Sequence, residues 1–514
     1  MKRIYLFIVL QSFVFGLAAQ DITDAVRYGN VNIHGSARFH ALGGAFGALG
    51  GDLSAVSANP AGSAIFSKSY FSATLGVKSF ENNTDYFGRS TTNSDGNIGF
   101  DQLGAAFVFN NTNDNSKVKK IVLSLVYDQT QNGDTSFKAN GVSNQSIDRY
   151  FLANAQGLSL NTISAFPGES LTQAYGYIGG DYGYQNQQAF LGYESFILEP
   201  DSIDDTNNLY YSNIAPGSFD QSYNYVTSGI SGKLGINLAM QYDEKLYLGL
   251  NLNAHSIEQK KSTYLQEEND NPGSLINTVE FLNDLSVTGS GFSFQFGGIY
   301  KINPSFRLGL TYDSPTWFTI SEESTQAVFT RSTDGIVFDD GSTDYSFSVN
   351  PNSVNIFPEY RLETPSKITG SAAFILGNLG LISFEYSRKN FANTKFRPTN
   401  DIYFSEQNDI ISNALVNAQT YRLGGEFRFS QLSFRGGYSI VESPYKNKSI
   451  MENTSTVSLG IGYSFGNTRI DLSYSTLQQN RTNQLYQVGT GDLAPLSRTQ
   501  SDFSNIFLTV GFSL

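Results

Sequence analysis

From Ser69 to the carboxy terminus the chain alternates apolar and polar positions. In the stretch 245–259, Leu246, Leu248, Leu250, Leu252 and Ala254 fall on one side, and Tyr247, Gly249, Asn251, Asn253 and His255 on the other. In 453–466, Val457, Leu459, Ile461, Tyr463 and Phe465 alternate with Ser458, Gly460, Gly462 and Ser464. The last stretch sets Ile506, Leu508, Val510, Phe512 and Leu514 against Phe507, Thr509, Gly511 and Ser513. Successive side chains of a strand point to opposite faces, so each stretch predicts a strand with one apolar face. Such stretches recur near 69–80, 98–110, 118–130, 220–240, 245–259, 285–301 and 305–320, then near 358–376, 380–392, 417–429, 431–443, 453–466, 468–480 and 501–514. A strand crossing a bilayer needs about 9–11 residues, and bacterial single-chain barrels have even strand numbers. The fourteen stretches therefore predict an all-β fold, a 14-stranded antiparallel transmembrane β-barrel over 69–514.

The connections separate this pattern from a soluble sandwich, which also alternates. Short turns with Gly, Asn, Asp or Pro (Tyr242-Asp243-Glu244, Asn303-Pro304-Ser305, Gly377-Asn378, Gly466-Asn467) suit sharp reversals at one end, read as periplasmic. Longer polar loops join the strands at the other, extracellular end. The longest, 131–219, exceeds what a structureless loop usually reaches. A weak helical spacing through 146–178, broken at Pro167-Gly168, predicts a helical hairpin over the barrel mouth. Its aromatics Tyr150, Phe151, Phe166, Tyr175 and Tyr177 are candidates for capturing a ligand. The alternative is that they pack the loop onto itself.

Composition changes the picture at the amino terminus. Lys2 and Arg3 precede an apolar run from Ile4 to Leu17 and then Ala18, Ala19 and Gln20, the layout of a secretory signal peptide over 1–20. Beyond it no stretch approaches the roughly 20 apolar residues of a spanning helix. The chain has 40 Phe, 30 Tyr and 49 Gly but no Cys; aromatic girdles suit a barrel, and no disulfide framework supports the fold. The formal charge of −13 becomes −15 once Lys2 and Arg3 leave with the signal. Nucleic acid is excluded as a partner, because neutralising phosphates takes a basic patch.

Residues 21–68 do not alternate. Their core runs from Arg38 through Gly43, Gly44, Gly50 and Gly51 to Asn59, Pro60, Ala61 and Gly62. A segment this small and Gly-rich suits a plug folded compactly in a narrow lumen, and no Gly-Lys-Ser/Thr ending makes it a nucleotide loop. The Gly/Ala-rich approach to Asn59-Pro60-Ala61 resembles the hatch motif of the FadL-type outer-membrane transporters of long-chain fatty acids and other hydrophobic compounds. Thr364-Pro365-Ser366-Lys367, Tyr421-Arg422-Leu423-Gly424-Gly425-Glu426-Phe427, Arg435-Gly436-Gly437-Tyr438 and Ser443-Pro444 resemble that family too. The resemblance covers the hatch and the carboxy-terminal half, and hardly touches 131–219. It implies an N-terminal hatch in the lumen gated by Gly43, Gly44, Gly50, Gly51, Asn59, Pro60, Ala61 and Gly62. It also implies capture of ligand on extracellular loops, and lateral release through a kinked third strand. From Lys119 to Gln131 no Gly or Pro interrupts that strand.

Charges at lumen-facing positions are Lys233, Arg307, Asp313, Glu385, Arg422, Glu426, Arg428, Arg435 and Asp471. Arg binds carboxylates in a bidentate way, which makes Arg422 and Arg435 candidate contacts for a ligand carboxylate. The competing reading is an ionic network bracing the wall against the hatch. The three histidines, His34, His40 and His255, form no acid–base–nucleophile constellation and no metal spacing, so neither catalysis, cofactor nor metal is expected. The functional expectation is an outer-membrane channel for passive uptake of small hydrophobic molecules. The alternatives are a haemin receptor using His34 and His40, and a barrel that docks or shuttles secreted proteins. The partners expected are the hydrophobic ligand, outer-membrane lipid and the barrel-assembly machinery during biogenesis. The barrel itself is expected to be a monomer.

Overall fold

The computed structural model describes residues 22–30, 33–113, 115–338, 340–486 and 495–514; the signal peptide expected over 1–20 lies outside them. Fourteen antiparallel strands close a barrel. In order they are Tyr70–Tyr86, Arg89–Asn110, Val118–Asn132 continued by Thr135–Ser143, Phe219–Tyr242, Leu246–Glu268, Thr278–Lys301, Phe306–Asp313 continued by Trp317–Val337, Tyr360–Glu363 continued by Lys367–Ile375, Gly380–Asn390, Asn417–Phe429, Leu432–Val441, Thr454–Phe465, Thr468–Gln484 and Leu496–Ser513. The first strand pairs with the last from Tyr70↔Ser513 to Asp85↔Arg498, so no edge is left open.

The apolar side of each alternation faces outwards. Leu248, Leu252, Val457, Leu459, Ile461, Phe465, Ile506 and Leu508 are exposed on the outer wall, while Tyr247, Asn251, Asn253, Ser458 and Thr509 are buried inside. This belt is short. Along the 24-residue fourth strand, Val226, Ile230, Leu234, Ile236 and Leu238 point outwards, but Asp220 holds the equivalent position at its start. The strands thus run well past the lipid-facing belt at the long-loop end, where both wall faces lose the pattern that marks a spanning strand.

That overrun explains where the expected boundaries differ. The second strand begins at Arg89 instead of 98 and the sixth at Thr278 instead of 285. Thr135–Ser143, expected in the loop 131–219, belongs to the wall and pairs with Phe219–Thr227. Its apolar residues Phe137 and Ala139 point inwards, the reverse of the lipid-facing rule. The connection proper is 144–218. It carries α4 (Asp148–Ala155), a 3-10 turn (Leu160–Thr162), α5 (Leu171–Asp181) and α6 (Tyr184–Glu194). The expected break at Pro167-Gly168 is a turn with Gly168 at φ +86°. The pairing differs from the expected hairpin, because α6, beyond 178, packs against both α4 and α5.

Among the described residues the short turns match the expected reversals, with Asp243, Gly377 and Gly466 all at positive φ. The third strand shows a register shift between Gln129 and Gln131 and then breaks at Gly133-Asp134. The amino-terminal segment lies in the lumen as α1 (Ile22–Gly29), α2 (Ala37–Ala41), α3 (Ser54–Ala58) and a 3-10 helix (Pro60–Ile65).

Candidate functional site

The lumen holds two different environments, and the plug touches both. Lower down, towards the short turns, polar side chains seat α2, α3 and the 3-10 helix. Ser36 caps α2 by accepting from Phe39 N, and its own hydroxyl donates to Asp52 at 2.8 Å. Gly43 and Gly44 then turn the chain at φ +60° and +77°, a conformation open to Gly at little cost.

The wall meets this segment with buried carboxylates. Asp101 accepts from Gly35 N at 2.8 Å and contacts His40 Nε2 at 3.0 Å and Lys78 Nζ at 2.7 Å. Asp128 accepts from Ser57 Oγ and faces Lys233 and His34. Glu385 accepts from Gly47 N at 3.0 Å and pairs with Arg422 Nη1 at 2.6 Å. Glu426 gathers Arg38 of the plug and Arg428 and Arg435 of the wall, and Arg435 also reaches Asp471 at 2.9 Å. Buried charges are tolerated when paired and hydrogen-bonded in this way.

Asn59 is fully buried. Its amide donates to Gly47 O at 2.7 Å and Gly298 O at 3.2 Å, and its Oδ1 accepts from Ala61 N to cap the 3-10 helix. Pro60 follows at the first helical turn, where its missing N–H costs nothing. Asn237 donates to Pro60 O, Asn251 to Val56 O and Gln295 to Ser57 O. The inner wall is stripped of side chains where the plug touches it. A Cβ at Gly297 would strike Asn59, one at Gly249 would strike Pro60, and one at Gly309 would strike Gly47 O. Gly424 and Gly437 are in the same position against Leu42 and Gly43. Gly inside a strand commonly marks such a close approach.

Higher in the lumen the inner face turns apolar. Ile257, Leu285, Val287, Phe318, Ile320 and Leu362 point inwards, and Ala25, Val26 and Tyr28 of α1 pack on them. Above this lies the cap built by α4, α5 and α6, with its own aromatic core.

The structure separates the expected capture aromatics. Tyr150, Phe151 and Tyr175 are buried in the cap core, where Tyr150 donates to Gln188 and Tyr175 to Gln326 of the seventh strand. Phe166 and Tyr177 are exposed, at 51% and 47%. Arg422 and Arg435 both sit in the ion pairs that hold the plug, and the hatch residues Gly43, Gly44, Asn59, Pro60, Ala61 and Gly62 all lie in that buried seat. Gly50 is half-buried, and at Gly51, exposed, an added Cβ would meet open space. Asp101, Asp128, Asn237 and Gln295 escaped the sequence reading. The signal that marks the seat is the glycine inside otherwise regular strands.

No curated protein matches the chain. Residues 16–143 match the model of an uncharacterised protein family, UPF0164. Among solved structures, a Pseudomonas aeruginosa FadL homologue aligns at 13% identity and TM-score 0.53, over 94% of this chain and 99% of that one. The P. putida toluene transporter TodX aligns at 14% identity and TM-score 0.51, with the same coverage of each chain. At such low identity the likeness speaks for architecture, and on that ground the chain has the plugged fourteen-stranded barrel fold of the FadL homologue and the toluene transporter.

Proposed function

We propose that this chain is an outer-membrane channel for small hydrophobic molecules, gated by its amino-terminal plug. The observation that carries this reading is the apolar inner lining of the upper lumen, from Ile257 and Leu285 to Phe318 and Leu362, covered by α1. A barrel that conducts water and ions has a polar interior, whereas this stretch would receive an apolar solute. Crossing a polar layer unaided costs such a solute about 25 cal/mol for every Å² of apolar surface exposed, and a greasy conduit removes that barrier. The solved barrels of like fold are described as a FadL homologue and a toluene transporter, in keeping with apolar cargo. Phe166 and Tyr177 would make first contact at the outer surface, long-chain fatty acids are the cargo to test first, and plug movement would open the path to the periplasm.

The haemin reading is less favoured. His40 Nε2 is engaged by Asp101 with its ring stacked on Phe507, and His34 Nε2 faces Asp128, so both imidazoles are committed to the plug seat.

The test is uptake of labelled long-chain fatty acid by a host lacking its own fatty-acid porin, with toluene and haemin arms alongside. Uptake that appears with the wild type and changes in Asn59→Ala supports a plug-gated hydrophobic channel. A correctly inserted barrel that passes neither fatty acid nor toluene overturns it.

A further inference from the structure

At the floor of the lumen, by the short turn joining the sixth and seventh strands, two cations stand directly opposite each other. Lys301 and Arg307 are cross-strand partners in the ladder. Both face inwards: Ile299, two residues before Lys301, packs on Ala61 of the plug, and Gly309, two after Arg307, abuts Gly47. Lys301 Nζ lies 4.7 Å from the ring centre of Tyr247, and Arg307 Nε is buried without a hydrogen-bond partner. A third cation, Lys120, reaches the same floor from the third strand and donates to Phe66 O. The ion pair between the seventh and eighth strands, Asp313 with Lys367, does not include them.

Like charges directly opposite on one sheet face are destabilising, and an unpartnered buried guanidinium nitrogen adds a desolvation penalty. Elsewhere in this lumen Lys78, Lys233, Arg38, Arg422 and Arg435 are each met by a wall carboxylate. Among the described residues no carboxylate pairs with Lys301 or Arg307, which leaves the counter-charge to a bound anion. We propose that Lys301 and Arg307 bind one oxyanion, a carboxylate or a phosphate group. The planar fork of Arg307 suits two oxygens of such a group, and the ammonium of Lys301 supplies a second point of charge. The site does not depend on what the upper lumen conducts.

The experiment follows thermal unfolding of the purified full barrel in neutral detergent at constant ionic strength. Inorganic phosphate, decanoate and chloride are titrated against wild type, Lys301→Gln and Arg307→Gln. Expected results are a dose-dependent rise in the wild-type midpoint with an oxyanion but not with chloride, and affinity weakened about tenfold or more in either variant. Without added anion, Lys301→Gln should melt higher than wild type, since the repulsion is gone. A response to decanoate alone identifies the head group of an amphiphile, and a response to both identifies any small oxyanion. Chloride matching the oxyanions, or variants responding as wild type does, overturns the site. Should a variant fail to fold, the wild-type comparison against chloride decides by itself.

Discussion

Arg38 of the plug donates through Nε to Glu426 of the tenth strand at 2.8 Å, and both side chains are almost wholly buried. The pair joins a segment near the amino terminus to the wall across 388 residues, so plug and barrel share one electrostatic lock. The two partners are not equivalent. Arg38→Met leaves Glu426 with Arg428, Arg435 and Arg469, whereas Glu426→Gln takes the shared carboxylate from four guanidinium groups, of which only Arg435 and Arg469 keep Asp471. Glu426→Gln should therefore be the more damaging, by about 3–5 kcal/mol of seat stability. Thermal unfolding in detergent and leakage of a bulky antibiotic into cells would both rank the two variants.

Close approach makes a second, sharper contrast. Gly297→Ala and Gly437→Ala each place a methyl group against plug backbone or Asn59 and should cost about 1–3 kcal/mol through overpacking. Gly370→Ala, whose added Cβ meets nothing within 4 Å, should be silent in both unfolding and leakage. Equal effects at all three would mean that the glycines serve the strands and not the plug.

In the cap, burial separates structure from contact. Phe151→Ala empties a fully buried position and should destabilise the cap by about 3–5 kcal/mol, seen as rapid proteolysis of 144–218 on intact cells. Tyr177→Ala and Phe166→Ala should leave the proteolysis unchanged and raise the substrate concentration needed for half-maximal uptake.

Acid should tighten the cap. Burial raises the carboxyl of Glu194 above its ordinary range, partly offset by the hydrogen bond it accepts from Ala165 N, and burial likewise raises Asp148. A raised folded value means the contribution is fully present below the unfolded carboxyl range and is lost as pH rises through the folded value. Lowering the pH from neutral should therefore slow hydrogen exchange in α4 and α6, after correction for the intrinsic rate. Glu194→Gln should flatten that dependence.

Arg422 tests the remaining role of the lumen charges. Its pair, Glu385, also holds Gly47 N, so Arg422→Gln should alter uptake of fatty acid and of neutral toluene alike. Loss confined to the fatty acid would instead assign Arg422 to the cargo carboxylate.

The sequence by itself determined the strand number, the lipid-facing side of the wall and the short turns. These follow from local rules, because the period of two and the demand for apolar side chains against lipid act on each strand separately. It also singled out 21–68, since a segment so rich in Gly and lacking alternation cannot serve as wall. The tertiary structure alone decided the rest. Strand lengths above the lipid belt were hidden because a wall wet outside and packed inside, as at Phe137 and Ala139, follows no lipid rule. The ion-pair partners of Arg422 and Arg435 turned on which carboxylate the ladder register brings opposite. Glu385 pairs with Arg422, and Glu426 with Arg435, by direct cross-strand alignment. Register and closure are properties of the whole sheet, so no window of sequence contains them.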